Sequence, residues 1–429
     1  MSAADAMPSG RVLQVSVSAG GVPKLPVERA WVGRLGLAGD AHRDDTVHGG
    51  PHRAVCLFGI EAIERLQSEG HPVEPGSVGE NLTTSGIEWS LLPIGTRIRI
   101  GTTLELELAS STTPCATQRL NFSDGKFSRI SIALHPSDSR MYARVIREGE
   151  VKPGDPIELQ SAAAESRAQD ELILDELDWA VGKSTLAEWR ILRDLGVGID
   201  IVDDGELIMG AAQDASTTRD NHAFGLARLP NLVSRAQAFY DSCGVEGCLI
   251  TDEPPWPGAT SELTVDVMAG APADVAHFAR PDGLHIERLT TANLDDWLAV
   301  RATMTPDRLT GVGDSREFAT ALATAPHIVV LVATLNGAPA GTAWLWHGHQ
   351  TEWLRGAGVV PEFRGRGIHS ALIAARAQAA AELGCELIGA WAATDSTSAR
   401  NLAALGLRRI GTRQHYRYLP AQVAAATAS

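Results

Sequence analysis

The sequence predicts a multidomain chain, in which a mainly-β domain, a barrel or a sandwich, precedes an α/β (α+β) region. Short runs of alternating apolar and polar residues, separated by glycine, proline and aspartate, fill residues 10–159. Such runs favour many short antiparallel strands. A stretch rich in alanine, serine and charged residues follows at 161–170 and has the composition of a linker. Beyond it, apolar runs of strand type are interspersed with apolar residues at helical spacing, which indicates an α/β region.

Length and charge narrow the function classes. The 429 residues suggest two or three domains. A net charge of -15 argues against nonspecific binding to nucleic acid and to anionic membranes. The five cysteines are irregularly spaced, and neither a signal peptide nor an apolar run of about 18 residues is present. We therefore expect a cytoplasmic protein with reduced thiols, and the sequence does not indicate its oligomeric state.

Within the first domain, polar residues and glycines are concentrated in ordered blocks. The blocks are Gly39-Asp40-Ala41-His42, His48-Gly49-Gly50-Pro51-His52-Arg53-Ala54-Val55, Gly79-Glu80-Asn81-Leu82 and Pro114-Cys115. In combination they resemble the MOSC domain, and we assign residues 1–160 to it. The resemblance implies a β-barrel-like fold and a link to the molybdenum cofactor (molybdopterin). It also implies that the motif cysteine is a metal ligand or a sulfur carrier.

The candidate site of this domain is centred on Cys115. A thiolate held after a proline suits a soft metal such as molybdenum, or can carry a sulfane sulfur, so Cys115 is the predicted catalytic and metal-binding residue. His48 and Arg53, with Arg97 or Arg99, could offer cations to a pterin phosphate, while Glu80 and Asn81 could bond the pterin edge. The alternative is that an isolated cysteine is a small buried apolar residue. We prefer that interpretation for Cys56, which lies within an apolar strand.

Residues 171–280 are the least informative part of the sequence. A helix is predicted around 170–189, and it contains Gly182-Lys183-Ser184-Thr185, which imitates the end of a Walker loop. Leu177 stands where that loop requires its first glycine, and no strand precedes it, so we reject a nucleotide site. Strands and one helix follow, without a phosphate loop. Two interpretations stay open for this segment: an accessory α/β segment, or a degenerate copy of the domain that follows it.

The most informative stretch of the second region is Gly358–Ser370. An apolar strand stops at Pro361, a short basic turn with two glycines follows, and a helix then begins and runs to Gly384. The unpaired amides at such a helix start, together with the helix dipole, form an anion site. A Walker loop would require a lysine, and the dinucleotide fingerprint a third glycine at Ser370, so neither fits.

What remains is Arg-x-x-Gly-x-(Gly/Ala) after a strand and a proline, and in this the chain resembles the GNAT acetyltransferases. The element order of residues 281–420 agrees, including a hairpin at Asn336-Gly337, and residues 421–429 are expected to be a disordered tail. The resemblance implies acetyl-CoA in a gap between the fourth and fifth strands. The implied cofactor-binding residues are Gly358, Val359 and Val360 for pantetheine, and Arg364, Gly365, Arg366, Gly367, Ile368, His369 and Ser370 for pyrophosphate. His369 departs from the family, which has a small residue there.

The chemistry of this resemblance is direct attack of an amine on the thioester. Glu352 is the predicted base because it begins the fourth strand, and His347, His349 and Glu362 are alternatives. The family's tyrosine acid is absent from the segment 402–404. Tyr416 on the last strand is a candidate substitute.

We therefore expect a bifunctional protein. The GNAT part would transfer an acyl group from acyl-CoA to a small-molecule amine, and the MOSC part would carry molybdenum cofactor or sulfur. In the alternative, the MOSC part is a ligand-binding or regulatory module and the GNAT part senses acyl-CoA without turnover. The sequence does not identify the acceptor.

Overall fold

The computed structural model describes residues 9–41, 49–112, 114, 116–132, 134–160, 165–213, 221–304, 312–348, 351–421 and 423. The chain forms two compact units, Met1–Leu172 and Ile173–Ser429. Within the described residues, no helix combines the length and the apolar character that crossing a bilayer requires.

Strands are the main regular elements of the first unit. They are β1 (Ser9–Val17), β2 (Leu25–Val27), β3 (Ala30–Gly33), β4 (Gly36–Leu37), β5 (Val55–Gly59), β6 (Leu82–Ser85), β7 (Arg97–Ile100), β8 (Leu104–Ser111), β9 (Met141–Arg147), β10 (Gly149–Val151) and β11 (Pro156–Gln160), with helix α1 (Ile60–Ser68) after β5. Alternating apolar residues produce these strands, because successive side chains point to opposite faces.

Seven of these strands close into a barrel. Their order is β11-β7-β8-β9-β5-β6-β1, and β1 pairs with β11 through Ser9↔Glu158 to close the ring. The fully buried core includes Val12, Leu57 and Leu106. Cys56 is buried on β5, and its burial raises the pKa of the thiol to about 11, which agrees with the core position expected from the sequence.

The second unit alternates helices and strands. Its elements are α2 (Glu165–Asp194), β12 (Ile199–Asp203), β13 (Ile208–Ala212), β14 (His222–Phe224), α3 (Val233–Cys243), β15 (Gly247–Thr251), β16 (Ser261–Gly270), β17 (Leu284–Arg288), α4 (Leu294–Met304), α5 (Arg316–Thr324), β18 (Ile328–Leu335), β19 (Ala338–Gly348), β20 (Thr351–Val359), α6 (Ile368–Glu382), β21 (Leu387–Ala393), α7 (Thr397–Ala404) and β22 (Arg408–Tyr418). Residues 165–170 of the predicted linker thus belong to α2, because the helical pattern begins earlier than expected.

One sheet of eleven strands organises this unit. Its order is β12-β13-β14-β15-β22-β16-β21-β20-β19-β18-β17. The last strand of the chain, β22, lies between β15 and β16, and β16 lies between β22 and β21. Each half of the sheet therefore receives a strand from the other half, a long-range exchange that local sequence patterns do not reveal.

The two faces of the sheet carry different helices. On one face, α6 packs its buried Ile368, Leu372 and Ala377 onto the core that Leu345 and Leu354 form. On the other face lies α2, which buries apolar side chains against the sheet. It also buries polar side chains that accept hydrogen bonds from Arg355 of β20 and Arg413 of β22. The face that a residue of β20 occupies therefore decides which helix it meets.

Candidate acyl-CoA site

The first feature of the site is a gap between two parallel strands. β20 and β21 pair from Thr351↔Leu387 to Leu354↔Ala390, and their ladder ends there. Both strands continue beyond that point, β20 to Val359 and β21 to Ala393. Backbone groups along the diverging ends have lost their partner strand, so a bound molecule can take its place.

A β-bulge lies at the start of the gap. Thr342 pairs with Gly358 but Trp344 pairs with Arg355, so β20 carries one extra residue. Gly356 in the bulge has φ 60°, and an added Cβ would lie 1.6 Å from the indole Nε1 of Trp344, so only glycine fits. Arg376 of α6 is buried and donates to the carbonyls of Trp344 and Arg355, at 3.5 and 3.4 Å. The bulge is thereby fixed from the α6 side.

The end of β20 offers one residue's backbone to the gap. The Val360 amide donates to the Ala340 carbonyl at 2.9 Å and therefore faces β19. Because successive residues alternate, the backbone groups of Val359 face the gap. The Val359 carbonyl accepts from Arg364 Nε at 3.3 Å. The expectation that the Val360 amide binds pantetheine is thus corrected, while Val359 stays a prediction.

Gly358 is kept small by a neighbouring side chain. An added Cβ at Gly358 would lie 1.5 Å from Cε of Met304, at the end of α4. The backbone can therefore come close to α4 only with glycine at this position. The role of Gly358 that follows from its surroundings is close packing beside the gap.

The predicted anion loop turns through two glycines. Gly365 and Gly367 have φ 75° and 77°, in the left-handed region that other residues avoid. No atom lies within 4 Å of an added Cβ at Gly365, so the loop surface is open there. At Gly367 an added Cβ would lie 3.1 Å from the Phe278 ring. The loop is therefore open on one side and covered on the other.

The amides at the start of α6 are available. The Arg364 amide donates to the Pro361 carbonyl at 3.3 Å, and the Ala371 amide to the Gly367 carbonyl at 3.0 Å. Between these two, the part of the chain that the structure describes holds no acceptor for the amides of residues 365–370. Such amides, at the positive end of a helix dipole, suit an anion. Arg364 differs from the expectation, because only its side chain remains available.

The side chains of the loop separate into two groups. Arg364 and Arg366 are exposed, and Arg366 lies over the Phe363 ring at 5.5 Å. His369 turns away to α7, where its Nδ1 lies 3.0 Å from Asn401 Nδ2. Burial, with Arg376 nearby, lowers the pKa of His369 to about 4, so the ring is neutral and accepts this hydrogen bond. The bulky residue at position 369 is thus accommodated beside α7.

A groove continues from the loop along α6. It has a volume of about 500 Å³ and lies between α6 and residues 272–280. Phe278 and Arg280 line one side, and Ala371 and Gln378 line the other. An aromatic ring, a cation and a surface of small residues are partners that suit a nucleotide.

Glu352, the predicted base, does not reach the gap. It lies opposite Ile388 in the paired part of β20 and is separated from Val359 by seven residues, or about 20 Å of strand. Its side chain is fully buried on the α6 face, bonded to His347 Nδ1 and to Cys385 Sγ. Burial raises the pKa of this carboxyl. The prediction failed because the sequence does not show where a ladder ends.

The other predicted acid–base residues have no shared location. Tyr416 is buried between Leu249 and Ser261 in the middle of the sheet, and its hydroxyl donates to Gln414 Oε1 at 2.7 Å. His347 belongs to the Glu352 cluster. Glu362 is exposed in the turn before the loop, and His349 lies outside the described residues. The geometry therefore gives Tyr416 and His347 no role at the gap.

One carboxylate does lie beside the bulge. Arg355 reaches across to α2, where it bonds to Glu188 and donates to Thr185 Oγ1 at 3.0 Å. The guanidinium also lies 4.7 Å from the Trp344 ring. Both charged side chains are about a quarter exposed, so Glu188 is accessible. No periodicity in the sequence links residues 188 and 355, and the sequence analysis missed this pair.

In the first unit, Glu80 and Asn81 are buried and hydrogen-bonded to other residues of the unit. Asn81 accepts from the Cys56 amide at 3.1 Å and donates to Asp40 at 2.9 Å. Glu80 is fully buried and accepts from the Gly76 amide at 2.7 Å, and burial raises its pKa. The expected contact of these two side chains with a pterin edge is thus corrected, because both brace the fold.

The remaining predicted residues of that unit fall into three groups. His48 and Cys115 lie outside the described residues. Arg53 is buried at the end of the short turn Pro51–Arg53. Arg97 and Arg99 each pair with a carboxylate of a neighbouring strand, Glu107 and Glu158 respectively. Arg97 and Arg99 are thus already neutralised on the barrel strands.

The segments around Cys115 are tied to the Gly79-Glu80-Asn81 block. Gln118 Nε2 donates to the Val78 carbonyl at 2.9 Å, and Asn121 Nδ2 donates to the Ser77 carbonyl at 2.8 Å. Arg140, which is buried, also donates to the Val78 carbonyl. Sequence reasoning missed Arg140, since it stands in none of the blocks. Residues 116–121 therefore lie beside the segment that leads into the Gly79-Glu80-Asn81 block.

Comparison with known proteins identifies both regions. Residues 44–158 match the family model of the MOSC domain, and residues 294–407 match that of the acetyltransferase (GNAT) family. Both resemblances found in the sequence are confirmed, and so is the fold class, a seven-stranded barrel followed by a mixed α/β region.

Similar proteins cover parts of the chain. The uncharacterized protein YflK of Bacillus subtilis is 29% identical over 143 residues, which are 33% of this chain and 63% of YflK. Protein YiiM of Escherichia coli is 30% identical over 141 residues, 32% of this chain and 61% of YiiM. The match spans less than two thirds of the length of each of these relatives.

Solved structures also align with the chain. A GCN5-related N-acetyltransferase from Kribbella flavida has a TM-score of 0.39 at 17% identity, covering 57% of this chain and 97% of that one. YiiM from Geobacillus stearothermophilus has a TM-score of 0.29 at 21% identity, covering 42% of this chain and 90% of that one.

Proposed function

Since the chain contains a MOSC domain and a GNAT acetyltransferase domain, we propose that the second unit transfers an acyl group from acyl-CoA to a small-molecule amine. The observation that carries the proposal is the set of amides at residues 365–370, which have no acceptor within the described chain and lie at the start of α6. The gap between β20 and β21 begins after the pair Leu354↔Ala390 and supplies a path for pantetheine.

Each part of the cosubstrate has a partner in this arrangement. The loop amides and the two exposed arginines, Arg364 and Arg366, bind the pyrophosphate. The backbone groups of Val359, which have no partner on β21, form hydrogen bonds with the pantetheine amides. The groove along α6, with Phe278 and Arg280, accepts the nucleotide end. The thioester is thereby directed toward the bulge at Gly356.

At the bulge, the acceptor amine must lose a proton before or as it attacks. We assign proton removal to Glu188 rather than Glu352, because Glu188 is bonded to Arg355 at the bulge and remains accessible. The CoA thiolate leaves without a protein acid, because a thiol with a pKa near 8.5 is a fair leaving group. Replacing Glu188 by Gln should lower kcat, whereas Glu317→Gln on α5 should not.

Binding of acetyl-CoA tests the loop directly. Titration calorimetry should show one site per chain, and Arg364→Gln/Arg366→Gln should weaken it roughly tenfold or more, since two charge-assisted hydrogen bonds are lost. Arg316→Gln is the matched control, because Arg316 is an exposed arginine on α5 that pairs with Asp295. If acetyl-CoA does not bind, or if the control weakens binding as much as the double variant does, the proposed site is wrong.

Turnover distinguishes an enzyme from a sensor. Release of CoA thiol should accompany acylation of at least one member of a panel of primary amines and aminoglycoside-like polyamines. Binding without thiol release across the panel would favour the second candidate, an acyl-CoA sensor. The absence of a tyrosine near the gap in the described part of the chain is the observation that favours this second candidate.

For the first unit, we propose that Cys115 is the reactive group, either as a molybdenum ligand or as a sulfur carrier. Its neighbours support this, since Thr112 and Gln118 are held against Arg140 and the Val78 carbonyl. Glu80 and Asn81 do not fit as pterin ligands, so no step through molybdopterin is derived. Native mass spectrometry of wild type and Cys115→Ser should show a persulfide or a molybdenum adduct only in the wild type. Identical spectra would leave the unit as a binding or regulatory module.

We also propose that residues 171–280 are a degenerate copy of the GNAT domain. Both halves contain a parallel strand–helix–strand unit, β14–α3–β15 and β20–α6–β21. In each half, the strand beside that unit comes from the other half, β22 next to β15 and β16 next to β21. This symmetric exchange is expected of two related copies that share one sheet.

A further inference from the structure

Three potential metal ligands meet at the end of the sheet away from the anion loop. His347 lies near the end of β19, Glu352 lies directly opposite it on β20, and Cys385 follows α6. One nitrogen, one carboxylate oxygen and one sulfur from these residues lie within 4.8 Å of one another. Cys385 Sγ is 2.8 Å from Glu352 Oε1 and 3.5 Å from His347 Nδ1. We propose that this cluster binds a divalent ion of the zinc class.

The donor set matches that class of ion. Imidazole nitrogen, thiolate and carboxylate are the ligands that proteins use for zinc, and three of them leave a fourth position for water. The 3.5 Å separation of sulfur and nitrogen is close to the edge of a tetrahedron built from zinc–ligand bonds of about 2.0 to 2.3 Å. The shorter contacts to Glu352 Oε1 are hydrogen bonds that an ion would replace.

Glu352 supplies an observation that hydrogen bonding alone leaves unexplained. Its side chain is fully buried, and its second oxygen, Oε2, has no hydrogen-bond partner among the described residues. A buried carboxylate oxygen without a partner is costly. A bound cation would compensate that cost, and it would also lie beside the carbonyl end of α6, where the helix dipole favours positive charge.

A second group of similar type provides an internal comparison. His222, Cys248 and His415 lie on neighbouring strands of the α2 face, with Cys248 Sγ 3.5 Å from His415 Nδ1. That group offers one anionic ligand, so a bound divalent ion would bury a net positive charge. The Glu352 cluster offers two anionic ligands and makes a neutral site, which costs less to bury. The Glu352 cluster is therefore the stronger candidate.

The Glu352 cluster is also accessible to an ion. The His347 side chain is 19% exposed while that of Glu352 is closed from solvent. An ion can therefore enter past the imidazole and reach the carboxylate. The cluster lies about 20 Å along β20 from Val359, so it is separate from the proposed acyl-CoA site.

Cobalt(II) substitution tests the proposal in the full-length chain. Cys115→Ser serves as the parent, so that the thiol of the first unit does not contribute. After treatment with a chelator, Co²⁺ should bind once per chain and give a thiolate-to-cobalt charge-transfer band with the strong visible absorption of tetrahedral cobalt. Added Zn²⁺ should displace it. Cys385→Ser should abolish the band, and Glu352→Gln should weaken Co²⁺ binding by roughly 100-fold.

Cys248→Ser is the matched control, because it removes the buried cysteine of the comparison group and should leave the band unchanged. A parent without the charge-transfer band overturns the proposal. So does a band that survives Cys385→Ser or disappears in Cys248→Ser. Glu352→Gln gives an independent result in case the serine at position 385 disturbs folding, since glutamine preserves the size of the side chain. Unchanged affinity in Glu352→Gln also overturns the proposal.

Discussion

Two strand–helix–strand units share the large sheet and differ in the loop before the helix. In β14–α3–β15 the chain enters the helix through Pro230–Leu232, and the Leu232 amide is bonded to the Leu229 carbonyl at 2.9 Å. In β20–α6–β21 it enters through Gly365 and Gly367, and the amides remain open. The topology is the same but the anion site is not, so the site depends on the loop and not on the fold.

The two halves of the large sheet exchange strands, so we expect neither half to fold without the other. Removing one half should therefore have the largest effect. Residues 281–429 alone lack β15 and β16, the two partners of β22. We expect this fragment to aggregate or to lack a cooperative transition, because open strand edges pair with other chains. Residues 173–429 keep both strands and should unfold cooperatively in urea with intact near-ultraviolet circular dichroism. Cooperative unfolding of the shorter fragment would show that the exchanged strands are dispensable.

The arginines of the two helices differ in burial, and this predicts the next effect. Arg376 of α6 is 2% exposed and holds the bulge, whereas Arg235 of α3 is an exposed partner of Asp204. Arg376→Met should lower the free energy of unfolding by about 3 kcal/mol, because buried carbonyls lose their donor. Arg235→Met should cost less than about 1 kcal/mol. Urea titrations that give equal losses would contradict the bracing role of Arg376.

The glycines at the two ends of α6 allow the effect of backbone strain on stability to be measured separately from its effect on acetyl-CoA binding. Gly367 and Gly384 both have positive φ, 77° and 79°, so alanine should cost each about 1 kcal/mol of stability. Only Gly367 lies in the loop, where the added methyl also meets Phe278. We expect Gly367→Ala to weaken acetyl-CoA binding about tenfold, as two strained amides move.

Gly384→Ala is the matched control for that change. No atom lies within 4 Å of an added Cβ at Gly384, so the strain there should not reach the loop. Calorimetric dissociation constants and melting temperatures, measured on both variants, compare the two effects. Equal losses of affinity would mean that the loop glycine acts through stability alone.

The same contrast shows what the sequence could predict. Local signals were sufficient for the hairpin at Asn336-Gly337, whose φ angles of 51° and 81° are those of the predicted turn, and for the loop glycines. They were also sufficient for the start of α6 at Ile368, because Pro361 and the apolar spacing act within a few residues. The MOSC and GNAT motifs are local in the same sense, and the barrel fold was implied by the MOSC resemblance, because the strand pattern alone left a barrel and a sandwich open.

Relations between distant strands could not be predicted in this way. The position at which β20 and β21 diverge depends on pairing across more than thirty residues of sequence, and it decides that Glu352 is outside the gap. The Glu188–Arg355 pair and the buried Arg376 depend on which face each residue occupies after the sheet has formed. Periodicity specifies a face, but it does not specify what covers it.

The second position of the two helices differs as well, and this predicts the smallest effect. His369 has a pKa lowered to about 4 by burial, whereas α3 has Ser234 there. Between this value and the unfolded pKa near 6.5, the unfolded chain binds the extra proton, so stability falls as the pH falls. From about pH 7 to about pH 6, His369 should account for a loss of roughly 0.7 kcal/mol. In His369→Gln that share should disappear, so the difference in unfolding free energy between variant and wild type should change by this amount. Urea titrations at the two pH values measure it, and a difference that is constant with pH would mean that His369 is not held neutral beside α7.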